Sequence, residues 1–208
     1  MLTQKLVSFY KLRFIHKSVS IHIKQMIENL QSELRKHLDS DESLLWTGKP
    51  AQGVKLKGSD AFMIPFSIMW GGFAIFWEST VVFTDAPFFF KLWGIPFVLV
   101  GLYLIVGRFF YDAKRREKTI YGLTENRIII KSGVFKETIK SLNIKTLSDI
   151  TLNEKSNKSG TIVLGSENGF TGMLRGTGWP GANGKMAPAI EMIDNVRAVY
   201  RKITELQK

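Results

Sequence analysis

Residues 61–77 read AFMIPFSIMWGGFAIFW, and residues 88–107 read FFFKLWGIPFVLVGLYLIVG. The first run contains no charged residue and the second contains only Lys91. A helix that crosses the hydrocarbon core of a bilayer needs about 20 apolar residues. The first run reaches that length by continuing past Glu78 through Val81, Val82 and Phe83, with the carboxylate near the far interface. The second reaches it with Lys91 snorkelling outward at its start. Glu78, Asp85 and Pro87 lie between them. The expected structure is a pair of antiparallel transmembrane helices joined by a tight turn. Buried helices of a soluble core would instead be amphipathic, and these runs have almost no polar face. Trp70, Trp77 and Trp93, with Phe88 to Phe90, suit the aromatic belts of the two membrane interfaces. Pro65 and Pro96 are tolerable inside such spans. Gly71, Gly72, Gly94, Gly101 and Gly107 offer small surfaces on which the hairpin can pack against itself.

Charge is distributed around this hairpin. The 208-residue chain carries a formal net charge of +11. Residues 1–60 contribute +4, residues 61–107 contribute −1 and residues 108–208 contribute +8. Lys49, Lys55 and Lys57 precede the first span, and Arg108, Lys114, Arg115, Arg116 and Lys118 follow the second. The positive-inside rule therefore puts both termini in the cytoplasm and the turn on the other side. Nucleic acid is the other usual partner of a basic chain, but no recognition motif for it is present. Cysteine is absent, and His16, His22 and His37 all lie in the first 40 residues. These counts exclude disulfides, thiolate metal sites, cysteine nucleophiles and a histidine-based centre in the C-terminal half.

Outward from the hairpin, residues 1–20 lack a continuous apolar core, so a cleavable signal peptide is not expected. Ile23, Met26, Ile27, Leu30, Leu34 and Leu38 recur at helical spacing, predicting an amphipathic helix over 21–38 that lies on the membrane surface or packs on the soluble domain. Residues 1–41 form this basic N-terminal segment. Residues 42–60 lead into the membrane, opening with a short apolar strand-like segment over 42–50 that ends in a Gly/Pro turn and carries Trp46 as an interfacial anchor, and 61–107 form the hairpin. A basic linker covers 108–118. From residue 119 the period changes. Strands are expected at 119–123, 128–130, 137–142, 149–153 and 161–164, separated by polar turns, with a further strand at 170–174. The pattern predicts a small antiparallel barrel or sandwich. Residues 175–185 are loop by composition; they miss the phosphate-cradle spacing because Trp179 and Met186 stand where glycine and a hydroxyl are required. A closing helix is expected from Pro188, a suitable first-turn residue. Its apolar face would carry Ile190, Ile193, Val196, Val199, Tyr200, Ile203 and Leu206, and would cover the open end of the barrel.

Strands followed by one amphipathic helix resemble the pleckstrin-homology-like fold, here in the form of bacterial membrane proteins that join such a domain to a two-helix anchor. The resemblance rests on Glu42…Trp46-Thr-Gly48-Lys-Pro50 before the hairpin and on Tyr121-Gly-Leu123-Thr124-Glu-Asn-Arg127-Ile128-Ile129 after it. Gly160-Thr-Ile162 and Val199-Tyr200-Arg-Lys-Ile203 add to it. It implies an α+β membrane protein with the domain over residues 119–208. It implies no phosphoinositide site, because Arg127 is alone in the first hairpin turn.

The function expected from these features is non-enzymatic: a cytoplasmic domain that binds a protein partner or assembles with its own copies, with no cofactor and no metal. The alternative is recognition of anionic lipid headgroups by the basic face. For that reading Trp46, Trp77, Trp93, Arg108, Lys114, Arg115, Arg116 and Lys118 are the membrane- and lipid-contacting candidates, each cation near an anionic surface being worth about 1 kcal/mol. Catalysis would have to use Asp149, Glu154 or Glu167, which read more simply as solvated residues of the sheet. A transporter subunit is disfavoured by the absence of a charged residue in mid-span.

Overall fold

The computed structural model describes residues 24–167, 169, 172, 175, 177 and 186–208. The first 23 residues, most of the expected strand at 170–174 and most of the loop at 175–185 lie outside the described residues. Helix α1 occupies residues 24–35 and precedes strand β1 (Trp46–Gly48), helix α2 (Asp60–Val82) and helix α3 (Phe88–Leu102). A π-helical turn, Tyr103–Gly107, joins α3 to helix α4 (Arg108–Glu117) without interrupting the helix. Strands β2 (Ile120–Leu123), β3 (Arg127–Ser132), β4 (Thr138–Asn143), β5 (Ile150–Glu154), β6 (Gly160–Leu164) and β7 (Ala189–Ile193) follow, and helix α5 (Val196–Leu206) closes the chain.

Helix α2 and the continuous helix Phe88–Glu117, which begins with α3, are long and apolar enough to cross a membrane, and they turn most of that surface outward: 28% and 17% of their most apolar windows are buried. Phe73, Phe76, Ile95 and Leu99 are among the exposed side chains. The two helices touch through glycine. A methyl group on Gly101 would lie 2.9 Å from the Cα of Gly71, so only backbone-to-backbone packing fits there.

The strands form two antiparallel sheets, ordered β1-β2-β3-β4 and β5-β6-β7. The expected closed barrel is therefore not formed. After β4 the chain leaves through a 3-10 turn, Ile144–Thr146, and β5 does not pair with β4. On the other side a single backbone bond, from Ala51 N to Met192 O at 2.8 Å, links the continuation of β1 to β7. The strand-like stretch of the pre-membrane segment supplies β1, which pairs Trp46 with Leu123 and Gly48 with Tyr121. The hairpin is thus inserted between two neighbouring strands of one sheet.

All four residues of β2 are buried, which a half-solvated strand would not allow. Tyr121 and Leu123 face the core between the sheets, while Ile120 packs with Leu30 and Leu34 of α1. Gly122 permits this approach, since a methyl there would stand 3.0 Å from Leu34 Cδ1. Helix α1 therefore packs on the sheet, the second of the two roles its pattern allows, and each fully buried leucine contributes about 2 kcal/mol. Glu33 of α1 holds Lys131 of β3 at 2.7 Å. Arg127 pins the segment between α1 and β1: it donates to both oxygens of Glu42, at 2.6 Å to Oε2, and to Asp39 Oδ2 at 3.0 Å. The lone arginine of the first hairpin turn is a structural clamp.

One expectation is corrected in the C-terminal region. Ala189–Ile193 is strand β7, and the helix starts only at Val196. Ile190 and Ile193 belong to the core as strand residues, aligned with the apolar face of the helix by coincidence of spacing. Asn195, in the left-handed conformation at φ 49°, breaks the chain between the two elements. Within α5 the expected face holds, with Val196, Val199 and Ile203 buried against the core.

Ile203 is fully buried, so Ile203→Asp should cost several kcal/mol and prevent recovery of folded protein. Arg201→Ala, on the exposed side, should leave thermal stability nearly unchanged. A second outcome follows from Glu42, whose carboxyl is held below its ordinary range first by the hydrogen bonds from Arg127. A depressed carboxyl stabilises the fold above its unfolded value of about 4.3 and loses that contribution as pH falls through the folded value. Glu42→Gln should therefore lower the melting temperature at neutral pH, and the difference from the parent should shrink in acid.

Candidate functional site

Helix α5 seals one end of the sheets. Gln207 donates to the carbonyl of Ile144 just beyond β4, at 3.2 Å, and Lys202 donates to the carbonyl of Leu45 just before β1, at 2.9 Å. The opposite ends of β2, β3 and β4 are left uncovered. There the start of β2 (Thr119, Tyr121), the end of β3 (Ile130, Ser132) and the start of β4 (Thr138, Lys140) face the residues leading into β7 (Met186 to Glu191). Tyr111 and Arg115 of α4 form a third wall, and the β3–β4 turn forms the fourth. They enclose an open groove of about 460 Å³, within the range of ligand-binding clefts.

Its charged lining is one-sided. Among the described residues, Arg115, Lys136, Lys140 and Arg175 stand against a single carboxylate, Glu191. Glu191 accepts from Arg115 at 3.3 Å and from Arg175 at 3.3 Å. Arg175 also donates to both oxygens of Glu167 and to the carbonyl of Ala187. Lys136 and Lys140 make no ion pair among the described residues. Tyr121 lies on the floor, and its hydroxyl accepts from the backbone N–H of Glu191 at 3.0 Å. Burial, with the Glu191 carboxylate second, pushes that phenol well above its usual range, so it stays neutral. Phe135, at the tip of the β3–β4 turn, is 94% exposed.

Beside the groove, the base of the hairpin holds a second polar assembly. Arg108, first residue of α4, donates to Asp60, first residue of α2, at 2.5 Å, and both are almost wholly buried. Arg108 also donates from Nε to Leu104 O at 2.8 Å, and its guanidinium lies 4.2 Å from the centre of the Phe109 ring. Asp112 pairs with Lys57 at 2.9 Å and with Arg116 at 3.2 Å. Arg116, 1% exposed, further donates to the carbonyls of Ala51 at 2.9 Å and Gly53 at 2.7 Å.

The basic stretch after the second span is thus divided among different tasks. Arg108 and Arg116 are buried inside the protein, Arg115 is turned to the groove, and Lys114 is exposed and paired with Glu117. Lys118, also exposed, donates to Val134 O at 3.3 Å. The five do not form one lipid-facing cluster, because ion pairs and carbonyls within the fold take the guanidinium groups. Trp46 packs against the core between the sheets. Trp77 is half-buried in the hairpin, and Trp93 is exposed and stacked on Phe89 at 5.7 Å. Sequence reasoning passed over Lys136, Lys140, Phe135 and Arg175. The exposed aromatic in the Gly133-Val-Phe-Lys136 turn is the one signal that could have pointed to the groove.

A family model, the bacterial PH domain, matches residues 71–207. The chain belongs to the bacterial PH domain family. The match spans most of the hairpin, both sheets and α5. It leaves α1 and β1 outside, although β1 is an edge strand of the domain's first sheet. No curated protein and no solved structure matches the chain.

Removing one partner of a buried ion pair costs about 3–5 kcal/mol because it leaves an uncompensated charge. Arg108→Gln should therefore destabilise the full chain in detergent more than the double change Asp60→Asn with Arg108→Gln, as read by thermal unfolding. A double variant worse than the single one would mean that Asp60 has another cation to answer it.

Proposed function

We propose that this bacterial PH domain protein is an integral inner-membrane protein, with both termini cytoplasmic, that presents its groove to a protein partner and carries out no catalysis. The observation that carries this reading is the insertion of an outward-facing apolar hairpin between β1 and β2. Because the anchor enters and leaves through adjacent strands and is locked by buried ion pairs, the groove is held at a fixed depth and orientation relative to the bilayer. The Lys/Arg excess at the ends of the hairpin supports the cytoplasmic placement. A binding role is favoured over a catalytic one because Glu191 and Glu167, the carboxylates at or beside the groove, are both committed to arginines. Lipid recognition by the juxtamembrane cations is less favoured because Arg108 and Arg116, two of the five, are internal.

Two measurements test the proposal. A reporter active only in the cytoplasm should work when fused after Lys208 and fail when inserted near Thr84. A photo-crosslinking amino acid at Phe135 should then give a discrete protein adduct in intact cells, whereas one at Phe76, on the outward face of the hairpin, should not give the same adduct. An exported C-terminus, or a Phe135 position that crosslinks only to lipid, would overturn the reading.

A further inference from the structure

The geometry points to an extended acidic segment of a partner protein as the occupant of the groove, seated along the edge of β4, with its carboxylates on Lys136 and Lys140. This deepens the partner-binding reading and rests on it.

Three features of the groove carry the inference. The first is charge: four cations line it against one carboxylate, and that carboxylate is already shared by Arg115 and Arg175. Lys136 and Lys140 are therefore the cations left for an incoming anion. The second is the strand itself. Among the described residues β4 pairs with β3 on one side and with no strand on the other, so alternate backbone N–H and C=O groups along that edge can receive an extended chain. Lys140 pairs across the sheet with Ile130, and Thr138 with Ser132. Side chains of cross-strand partners share a face, so Thr138 and Lys140 mark the groove side of β4. An added strand with an acidic residue at every second position would set its carboxylates on that same side. The third is Phe135, 94% exposed beside Lys136, where a large ring can cover the end of a seated peptide.

Distance selects a peptide over a lipid headgroup. Residues 88–107 supply the 20 residues that cross the hydrocarbon core, and α4 adds 10 more. At about 1.5 Å per residue, α4 extends about 15 Å beyond the core boundary, and still about 11 Å at the steep tilt of about 40°. The headgroup layer is about 5–8 Å thick on each side. Lys118, just past the end of α4, holds the β3–β4 turn by its Val134 carbonyl. The turn with Phe135 and Lys136 therefore lies on the aqueous side of the headgroups, within reach of a soluble or flexible protein segment.

The test uses the full chain in neutral detergent micelles and a short fluorescein-labelled peptide alternating Glu with Val. Saturable binding by fluorescence anisotropy is expected. Lys136→Gln combined with Lys140→Gln should weaken it at least tenfold without changing the melting temperature, and Phe135→Ala should weaken it further. Lys114→Gln, outside the groove, should have no effect, and a peptide alternating Lys with Val should not bind. Absence of binding, or equal weakening by Lys114→Gln, would overturn the assignment, the latter because it reduces the effect to general attraction by a cationic protein. Displacement of the peptide by micelles doped with anionic phospholipid, but not by neutral lipid, would overturn it in favour of a headgroup. In either case the crosslinking at Phe135 would still report separately on whether a protein partner exists.

Discussion

The chain leaves a β-sheet, runs out along an apolar hairpin, and must return to the strand edge it left. Strand β2 pairs with β1 across an insertion of more than seventy residues, through the short ladder between Trp46–Gly48 and the Tyr121–Leu123 stretch. Three residue pairs are a weak constraint against so long a loop. The contact that makes the return reproducible is the pairing of Asp60 with Arg108, which ties the first residue of the outgoing helix to the first residue of the incoming extension. Arg116 then repeats the fastening two turns later, through the carbonyls of Ala51 and Gly53. Everything beyond depends on these points: the register of β2, the wall that α4 gives to the groove, and the position of Arg115 within it.

Buried ion pairs are poor sources of stability, because the cost of removing both charges from water offsets most of their attraction. Their use here is better understood as specificity. An apolar contact at the hairpin base would permit sliding and rotation of α4 against α2. A guanidinium that must meet a carboxylate and defined carbonyls permits neither. Arg108 and Arg116 lie eight residues apart, a little over two helical turns, so their directions on α4 differ by about 80°, one meeting Asp60 and the other the carbonyls of Ala51 and Gly53. Arg115, one position away, is turned about 100° from Arg116 and is free to serve the groove.

The sequence disclosed the parts of this arrangement that have a period. The two apolar spans, strands β2 to β6 and the buried face of α5 all announce themselves by composition or alternation. The joining of the parts was not periodic and stayed hidden. Strand β1 is only three residues long, and its partner lies far along the chain. β7 merged with α5 because Ile190 and Ile193 extend the helical spacing of Val196, Val199 and Ile203 backwards by chance. The five cations after the second span satisfied the topology rule as a group, and that rule has no access to which of them are turned inward. The groove was least visible of all. It is made by the uncovered ends of strands, and its lysines are unremarkable in sequence until folding leaves them without carboxylate partners.

The π-helical turn at Tyr103–Gly107 has a consequence for how such chains can change length. A π-turn holds an additional residue relative to the regular helix and shifts the rotational phase of everything after it by about 100°. In this protein that phase is what brings Arg108 onto Asp60 and aims Arg116 at the loop carbonyls. Deleting one residue there would regularise the helix and improve its local geometry, yet it would swing both arginines away from their partners. The segment between the second span and the first returning strand should therefore resist insertions and deletions, even though substitution of its apolar residues by others of similar size is easily borne. Length, more than residue identity, is what this joint depends on.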